Sequence, residues 1–518
     1  MRLNRKLLIT LVLLAVVTAA ALYVWAEDRR EQKNEAILED IDRFGYVLGR
    51  IIDFYVDEIG SEELIDSAIR GMLKELDPHS VYLNKQQWEN LMIDTRGEFG
   101  GLGITISIRD DFPTVISPIE DTPAYRLGIQ AGDRIVEIEK ESTNGWSSDE
   151  AVSKLRGPPG TQVNITIARE GLEDSLYFAI TRDVITVPSI TFWDTIEEVG
   201  YIRVSRFAER TARDLDEIVT ELEKEGVKGL ILDLRSNPGG LLDAAREVSE
   251  LFLERDKLIV YTEGRITSNN QKFRSRSRKV HDGYPIVILV NGASASASEI
   301  VAGALQDWDK AIIIGQPTFG KGSVQTVFKV GDEGALKLTT MKYYTPSGRS
   351  IHRDELDEDV EQESQREVEE FYTHGGRIVY GGGGITPDWE IELPEFTDLQ
   401  RQLELKLIFF SFAVHYSAYH NVDEDFEVTD EVLTEFIDFV KEKDVKVKKE
   451  DWDEENIEYA KLGIKREIFR KMFGARGAFM ATLRKDEEIN EVLNMFVQAP
   501  SLTEMFAYVE QQKHEKAE

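Results

Sequence analysis

At 518 residues the chain is too long for one hydrophobic core, and its 42% apolar content supports globular folding in three or four domains. Its 62 Lys and Arg against 96 Asp and Glu leave a net charge of −34, the wrong sign for a general binder of nucleic-acid phosphates. The absence of cysteine excludes a disulfide framework, a thiolate metal site and a cysteine nucleophile.

The chain opens on a basic stretch, Met1 to Lys6, followed by an uncharged and almost wholly apolar run of 20 residues, Leu7 to Ala26. That is long enough to cross a hydrocarbon core of about 30 Å, and the leading positive charges predict export of the chain beyond it. An uncleaved membrane anchor is one reading; a signal peptide cut after Val24-Trp25-Ala26 is the other. Both place the bulk of the protein outside the cytoplasm. From 34 to 93 apolar residues recur at helical spacing, at Ile37, Ile41, Phe44, Val47, Ile51 and Ile52 and again from Leu64 to Leu73, which predicts a helical N-terminal segment. It stops at Leu76-Asp77-Pro78, where His79 reads as a turn residue.

Between Arg96 and Asp183 the pattern changes to short strands and turns. Gly101-Leu102-Gly103-Ile104 precedes the strand Thr105–Ile108, and Ala131-Gly132-Asp133-Arg134-Ile135, a short helix over 150–155 and a strand over 160–167 come after it. Taken in order, these elements resemble a PDZ domain, with Gly101, Leu102, Gly103 and Ile104 as a loop whose free N–H groups take a terminal carboxylate.

From Pro188 to Pro394 apolar strand-like runs alternate with helical patterns, which predicts an α/β core with parallel strands and crossover helices. The strands are Val199–Val204, Gly229–Leu234, Leu258–Tyr261, Pro285–Val290 and Ala311–Ile314, with helices over Thr211–Glu225 and Leu241–Leu253 and a hairpin over 324–341. The acidic run Asp354–Glu370 reads as a solvated loop or helix face. Beyond Phe396 the sequence is helical and amphipathic, with Phe409, Phe410, Phe412, Phe479 and Met480 as buried positions and fraying expected after Gln511. This segment, 395–518, reads either as a dimerisation or adaptor-binding domain or as a cap on the core. The fold class is therefore multi-domain α/β: a helical N-terminal segment, a PDZ module over 96–183, an α/β core over 188–394 and a helical C-terminal domain.

Chemistry concentrates in Pro285–Gln325. A buried strand breaks at Asn291-Gly292, passes through Ala293-Ser294-Ala295-Ser296-Ala297-Ser298 and enters a helix at Glu299. Ser296 can serve as a nucleophile, and Ser296 with Glu299 three residues on is equally a helix capping box. The two roles share a location, because a helix N-terminus offers free N–H groups to an oxyanion, Ala297 first. Lys321, between Gly320 and Gly322, is the candidate general base. It must be desolvated to reach a pKa of about 7–8, at a cost of roughly 3–4 kcal/mol. Gly239 and Gly240, in a turn between a strand and a helix, are the candidates for the second oxyanion donor. No Gly-x-Ser-x-Gly surrounds Ser296, and there is no His-Glu-x-x-His.

Five stretches, Leu232–Gly240, Asn291–Asp307, Thr318–Gln325, Tyr343–Arg349 and Gly383–Asp388, together with the preceding PDZ pattern, resemble the carboxy-terminal processing proteases of peptidase family S41 over roughly residues 35–392. The resemblance implies a ClpP/crotonase-like core and an ATP-independent serine endopeptidase of the cell envelope. It implies a Ser296/Lys321 dyad, no metal or other cofactor, and a PDZ domain that docks substrate C-termini. By the same resemblance Gln325 orients the lysine amine and Arg156 couples peptide docking to the active site. Members often oligomerise and can use adaptor proteins. A non-catalytic PDZ scaffold or ligand-binding protein on the same fold is the alternative.

Overall fold

A computed structural model describes residues 35–331, 334–353, 369–392, 395–443 and 445–517. The run Leu7–Ala26, with its anchor and signal-peptide readings, lies outside them, as does nearly all of Asp354–Glu370. Among the described residues no helix is long and apolar enough to cross a membrane. Two compact units result, one of residues up to Asn84 with Val327–Leu338, the other of Lys85–Thr326 with Thr339 onward.

In the first unit α1 (residues 35–54) and α2 (Ser61–Lys74) are helices, as the periodicity predicts. The all-helical expectation fails at β1 (Val81–Asn84), which pairs antiparallel with residues 334–337. Val-Tyr-Leu-Asn is rich in strand formers, and a long-range partner outweighs the helical pattern on either side.

The second unit begins with α3 (Lys85–Arg96) and the PDZ module. This comprises β2 (Glu98–Gly101), β3 (Ile104–Arg109), β4 (Phe112–Pro118), α4 (Pro123–Arg126), β5 (Arg134–Ile138), β6 (Glu141–Ser142), α5 (Ser148–Leu155), β7 (Gln162–Ala168), β8 (Leu176–Thr181) and β9 (Asp183–Thr186). Strands β3, β4, β5, β7 and β8 form one antiparallel sheet, and β2 pairs with β9 to close the module at its base. In β7 every second side chain, Val163, Ile165 and Ile167, is fully buried, the period expected of a strand with one face in the core.

The α/β core comes next: β10 (Ile190–Ile196), β11 (Val199–Val204), α6 (Thr211–Glu225), β12 (Gly229–Asp233), α7 (Leu242–Glu250), β13 (Leu258–Gly264), β14 (Gln271–Arg274), β15 (Ile286–Val290), α8 (Ala297–Asp307), β16 (Ile312–Gly315), β17 (Ser323–Val330), β18 (Gly334–Tyr344), β19 (Glu370–Tyr372), β20 (Ile378–Tyr380) and β21 (Trp389–Glu390). The central sheet has the order β10-β11-β12-β15-β16-β21, parallel throughout except for the β10–β11 pair. Strands β12, β15 and β16 are buried at every position, because both faces of the sheet are covered. One face packs on α6, α7 and α8.

The other face is covered from the far end of the chain. Helices α9 (Asp398–Leu405), α10 (Ile408–Tyr419), α11 (Asp430–Lys441) and the first part of α12 (Glu454–Leu483) share a core of their own, which includes Phe409 and Phe412. At Phe473 and Gly474 α12 leaves helical geometry, with Gly474 at φ +70°. Beyond this kink Phe479, α13 (Glu487–Gln498) and α14 (Leu502–Ala517) lie on the central sheet against Phe192, Tyr201, Ile231, Leu289 and Ile314. Of the two residues expected to be buried, Phe479 packs on the sheet while Met480 is 48% exposed, because neighbours on a helix point about 100° apart and only one can face the sheet. Helix α14 continues past Gln511 to Ala517. The helical bundle also touches the PDZ module: Lys471 Nζ donates to the Ala131 carbonyl at 2.9 Å, and His415 meets Glu170 at 2.7 Å.

Candidate active site

Strand β15 ends at Val290, and the chain turns through Asn291–Ala295 to bring Ser296 to the N-cap of α8. Ser296 has φ +55° and ψ −109°, a conformation that side chains rarely adopt and that surrounding contacts must hold. Its N–H donates to Glu299 Oε2 at 2.6 Å, the carboxylate half of a capping box.

Glu299 does more than cap. It is 0% exposed, and its second oxygen accepts from Thr318 Oγ1 at 2.6 Å and from the Gly320 N–H at 2.7 Å, while Oε2 also accepts from the Lys321 N–H at 3.0 Å. One buried carboxylate thus joins the backbone of Ser296 to that of Lys321. Burial raises its carboxyl above the ordinary range, against the opposing pull of these hydrogen bonds. On the far side the Tyr343 hydroxyl, fully buried on β18, reaches the Ser296 carbonyl at 3.1 Å and the Lys321 carbonyl. Burial, and then the nearby Glu299 charge, hold the phenol well above its usual pKa, so it stays a donor.

The lysine loop needs its two glycines. A Cβ on Gly320, at φ +92°, would lie 2.9 Å from Arg353 Cβ, and one on Gly322 would lie 2.6 Å from the His352 N–H nitrogen. Returning chain fixes the loop, since the Ile385 N–H donates to Thr318 Oγ1 at 2.7 Å and the Arg353 N–H to the Gly320 carbonyl at 2.9 Å. Buried Arg349 bonds Asp307 at 2.8 Å and ties the Tyr343–Arg349 stretch to the end of α8. Gln325, on β17, donates from its amide nitrogen to Ser323 Oγ at 2.9 Å and Thr339 Oγ1 at 3.3 Å.

Gly239 and Gly240 lie where the sequence pattern expects them, between β12 and α7. A Cβ on Gly239 would be 2.6 Å from the Ala295 carbonyl oxygen, 2.8 Å from the Ala297 nitrogen and 2.9 Å from Ser296 Cβ. The loop therefore abuts the nucleophile turn, with Ala297 as the first N–H of α8. The Gly239 N–H is engaged by its own loop, donating to Asn237 Oδ1 at 2.9 Å. Gly240, at φ +146°, packs its Cα against Phe207, whose N–H and carbonyl bond the Gly239 carbonyl and the Leu241 N–H, each at 2.9 Å.

In the PDZ module Leu102, Gly103, Ile104, Val152 and Leu155 line a cleft of about 300 Å³. Gly103 has φ +80°, and a Cβ there would strike Thr122 at 2.2 Å, so only glycine fits. A Cβ on Gly101 would lie 2.7 Å from the Phe99 ring. Arg156 also lines the cleft; its guanidinium lies over Phe99, 4.9 Å from the ring centroid, and donates to Asn90 Oδ1 of α3 at 2.6 Å. Burial lowers its pKa, partly offset by Asp94 and Glu89. Asp94 and Arg206 complete the wall. Arg206 comes from the α/β core, donates to the Val187 carbonyl at 2.7 Å, and immediately precedes Phe207.

Glu299's bridging role, Tyr343 and Arg206 escape a reading of the sequence. Each acts through partners distant in the chain. Tyr343 does fall inside a motif stretch, and that is the one signal that marks it.

Family models match along the chain: the activating protease CtpB N-terminal domain over 17–87, a PDZ domain over 114–169, peptidase family S41 over 198–362 and the C-terminal helical domain of a probable PDZ-protease over 399–454. A carboxy-terminal-processing protease of Bartonella bacilliformis is 42% identical over 341 residues, 65% of this chain and 78% of that protein. The carboxy-terminal processing protease CtpA of Bacillus subtilis is 34% identical over 358 residues, 68% of this chain and 76% of that one. Among solved structures, a photosystem II D1 C-terminal processing protease aligns over 67% of this chain and 92% of its own at 26% identity and a TM-score of 0.37. With a helical N-terminal region, PDZ module, α/β core and C-terminal helical domain in this order, the chain belongs to peptidase family S41 and groups with the carboxy-terminal processing proteases.

Proposed function

We propose that the chain is an ATP-independent serine endopeptidase of the cell envelope that cleaves proteins whose C-terminal tail is docked in the PDZ cleft. Ser296 is the nucleophile, Lys321 the base, and Gln325 helps to orient the amine. The observation that carries this reading is the Glu299 and Tyr343 clasp, which fixes the backbones of Ser296 and Lys321 to each other from two sides. Ala297 N–H is the oxyanion donor beside the serine; the Gly239-Gly240 loop abuts the same turn, with Gly240 as its second-donor candidate because the Gly239 N–H is taken by Asn237 Oδ1. Neutral Lys321 takes the Ser296 proton as the hydroxyl attacks the scissile carbonyl. The same proton then goes to the leaving amine, and water releases the acyl group by the reverse path.

The cleft between α5 and β3 has an open strand edge and a glycine turn suited to an extended peptide ending in a carboxylate. Arg156 and Arg206 line the same cleft and favour that charge, and Arg206 is one residue from the backbone that holds Gly239. Export and membrane attachment rest on the basic-then-apolar N-terminus; self-association and an adaptor rest on the family resemblance. Incubating wild type and Ser296→Ala with an unfolded protein carrying an apolar C-terminal tail tests the core of the reading. Cleavage by the wild type alone is expected; equal cleavage by both would remove it. Lys321→Ala should also abolish cleavage, and wild-type kcat should fall as pH drops through the lysine pKa, because the protonated amine cannot act as a base.

A further inference from the structure

The loop that carries Gly239 is gripped from the opposite side of the sheet by the end of the chain. Arg235, four residues before Gly239, is 10% exposed, and its Nε and Nη2 donate to fully buried Asp233 at 3.0 and 2.7 Å. Asp233 serves half of the guanidinium fork. The other edge is taken by α13: Nη1 donates to Glu488 Oε2 at 2.5 Å, and Asp486, the N-cap of α13, meets Nη2 at 2.9 Å. Glu488 is 3% exposed, so this contact exists only while α13 is seated on the sheet.

From Arg235 the constraint passes along a short and fully bonded turn. The Ser236 N–H donates to Asn291 Oδ1 at 2.8 Å, and the Asn237 side chain donates to the Val204 carbonyl at 2.8 Å and accepts from the Gly239 N–H. Asn291 belongs to the turn that delivers Ser296. Glu488 Oε1 also lies beside the end of β16, where a Cβ on Gly315 would be 3.4 Å away. The bidentate bond to Asp233 orients the guanidinium, and the contacts from α13 on its other edge hold it more tightly than one carboxylate alone.

We propose that α13 is part of the catalytic apparatus, with Glu488 and Asp486 as positioning residues that act through Arg235 to hold the Gly239-Gly240 loop in register with Ser296. This rests on the Ser296 protease reading. The C-terminal helices then do more than shield the sheet: seating or lifting α13 sets the quality of the oxyanion site.

The test uses the full chain. Glu488→Ala, Glu488→Gln and Arg235→Lys are compared with wild type and Ser296→Ala for kcat and KM on a tail-bearing peptide. Two further measurements are the titratable serine, by a fluorophosphonate, and affinity for a peptidyl boronate, whose tetrahedral adduct occupies the oxyanion site. Per titratable serine, Glu488→Ala and Arg235→Lys should lower kcat at least tenfold, leave KM within twofold, and weaken the boronate by a similar factor. Glu488→Gln, which keeps an acceptor for Nη1, should recover most of that loss. A kcat per titratable serine within twofold of wild type in Glu488→Ala would overturn the inference, as would a kcat loss with unchanged boronate affinity. If wild type cleaves no faster than Ser296→Ala, the protease reading fails and takes this inference with it. Ser296-dependent cleavage that is indifferent to Glu488 and Arg235 removes the inference alone.

Discussion

Four donors converge on the Glu299 carboxylate, two from the residues proposed to react, Ser296 and Lys321, and two from Thr318 and Gly320 of the loop that carries the lysine. Glu299→Gln replaces one acceptor oxygen with a donor that must face N–H or O–H groups. Leaving buried donors unmatched costs about 1–3 kcal/mol each, so kcat should fall roughly 10- to 100-fold per titratable serine. Tyr343→Phe removes only the hydroxyl and should cost about tenfold in kcat with little change in KM, measured on the same peptide. Gly239→Ala forces a methyl against Ala295, Ser296 and Ala297 and should reduce kcat at least 100-fold, the scale of a lost oxyanion donor. The raised Glu299 carboxyl also makes a pH prediction. The folded chain holds this proton more tightly than the unfolded one. Its contribution to stability is therefore present below the ordinary carboxylate pKa of about 4.3 and is lost as pH rises through the raised value. Melting midpoints of wild type and Glu299→Gln should accordingly diverge, with the wild type losing ground as pH rises; a constant difference would mean that the carboxyl titrates normally. In the sequence Ser296 and Glu299 are legible as a cap because a cap is local. That the same carboxylate also binds residues 318–321 depends on a loop some 20 residues away, and no spacing rule reports it.

Elements with one dominant physical cause were the legible ones. Pro285–Val290 and Ala311–Ile314 are unbroken apolar runs, and Gly229–Leu234 is apolar but for Asp233; they became β15, β16 and β12, and the periodic stretch Thr211–Glu225 became α6 with the same bounds. Strand β10, Ile-Thr-Phe-Trp-Asp-Thr-Ile, mixes polar and apolar residues because it lies at the sheet edge, and it left no clear signal. The C-terminal segment was legible as helix but not in its destination, because periodicity says which face is apolar and not what that face will meet. Residues 479–509 in fact complete the second face of the catalytic sheet. Met505, fully buried there, tests how much that completion is worth. Met505→Ala should destabilise the chain by about 2–5 kcal/mol, read as a lower denaturation midpoint and faster digestion by an added protease. A midpoint unchanged from wild type would show that α14 is dispensable to the core.

At the scale of the whole chain, the C-terminal bundle touches both the PDZ module and the α/β sheet. Val414 packs on Gly132 and Lys471 bonds Ala131, while beyond the Gly474 kink Phe479 and α13 lie on the sheet. Val414→Arg, which places a charge in the apolar contact with Gly132, should change the ratio of cleavage rates for tail-bearing and tail-less substrates. An unaltered ratio would mean that this contact does not affect how a docked tail is used. Covering the sheet from the far end of the chain also sets an order in time. Residues 487–517 are the last of the sheet's cover to leave the ribosome and, if the chain is exported, to cross the membrane. Until they arrive, Ile231, Leu289 and Ile314 lack their covering helices, and Arg235 has only Asp233. A chain interrupted partway through synthesis therefore carries Ser296 and Lys321 without a finished sheet beneath them, and on the proposed reading proteolytic competence would follow the seating of α13 and α14.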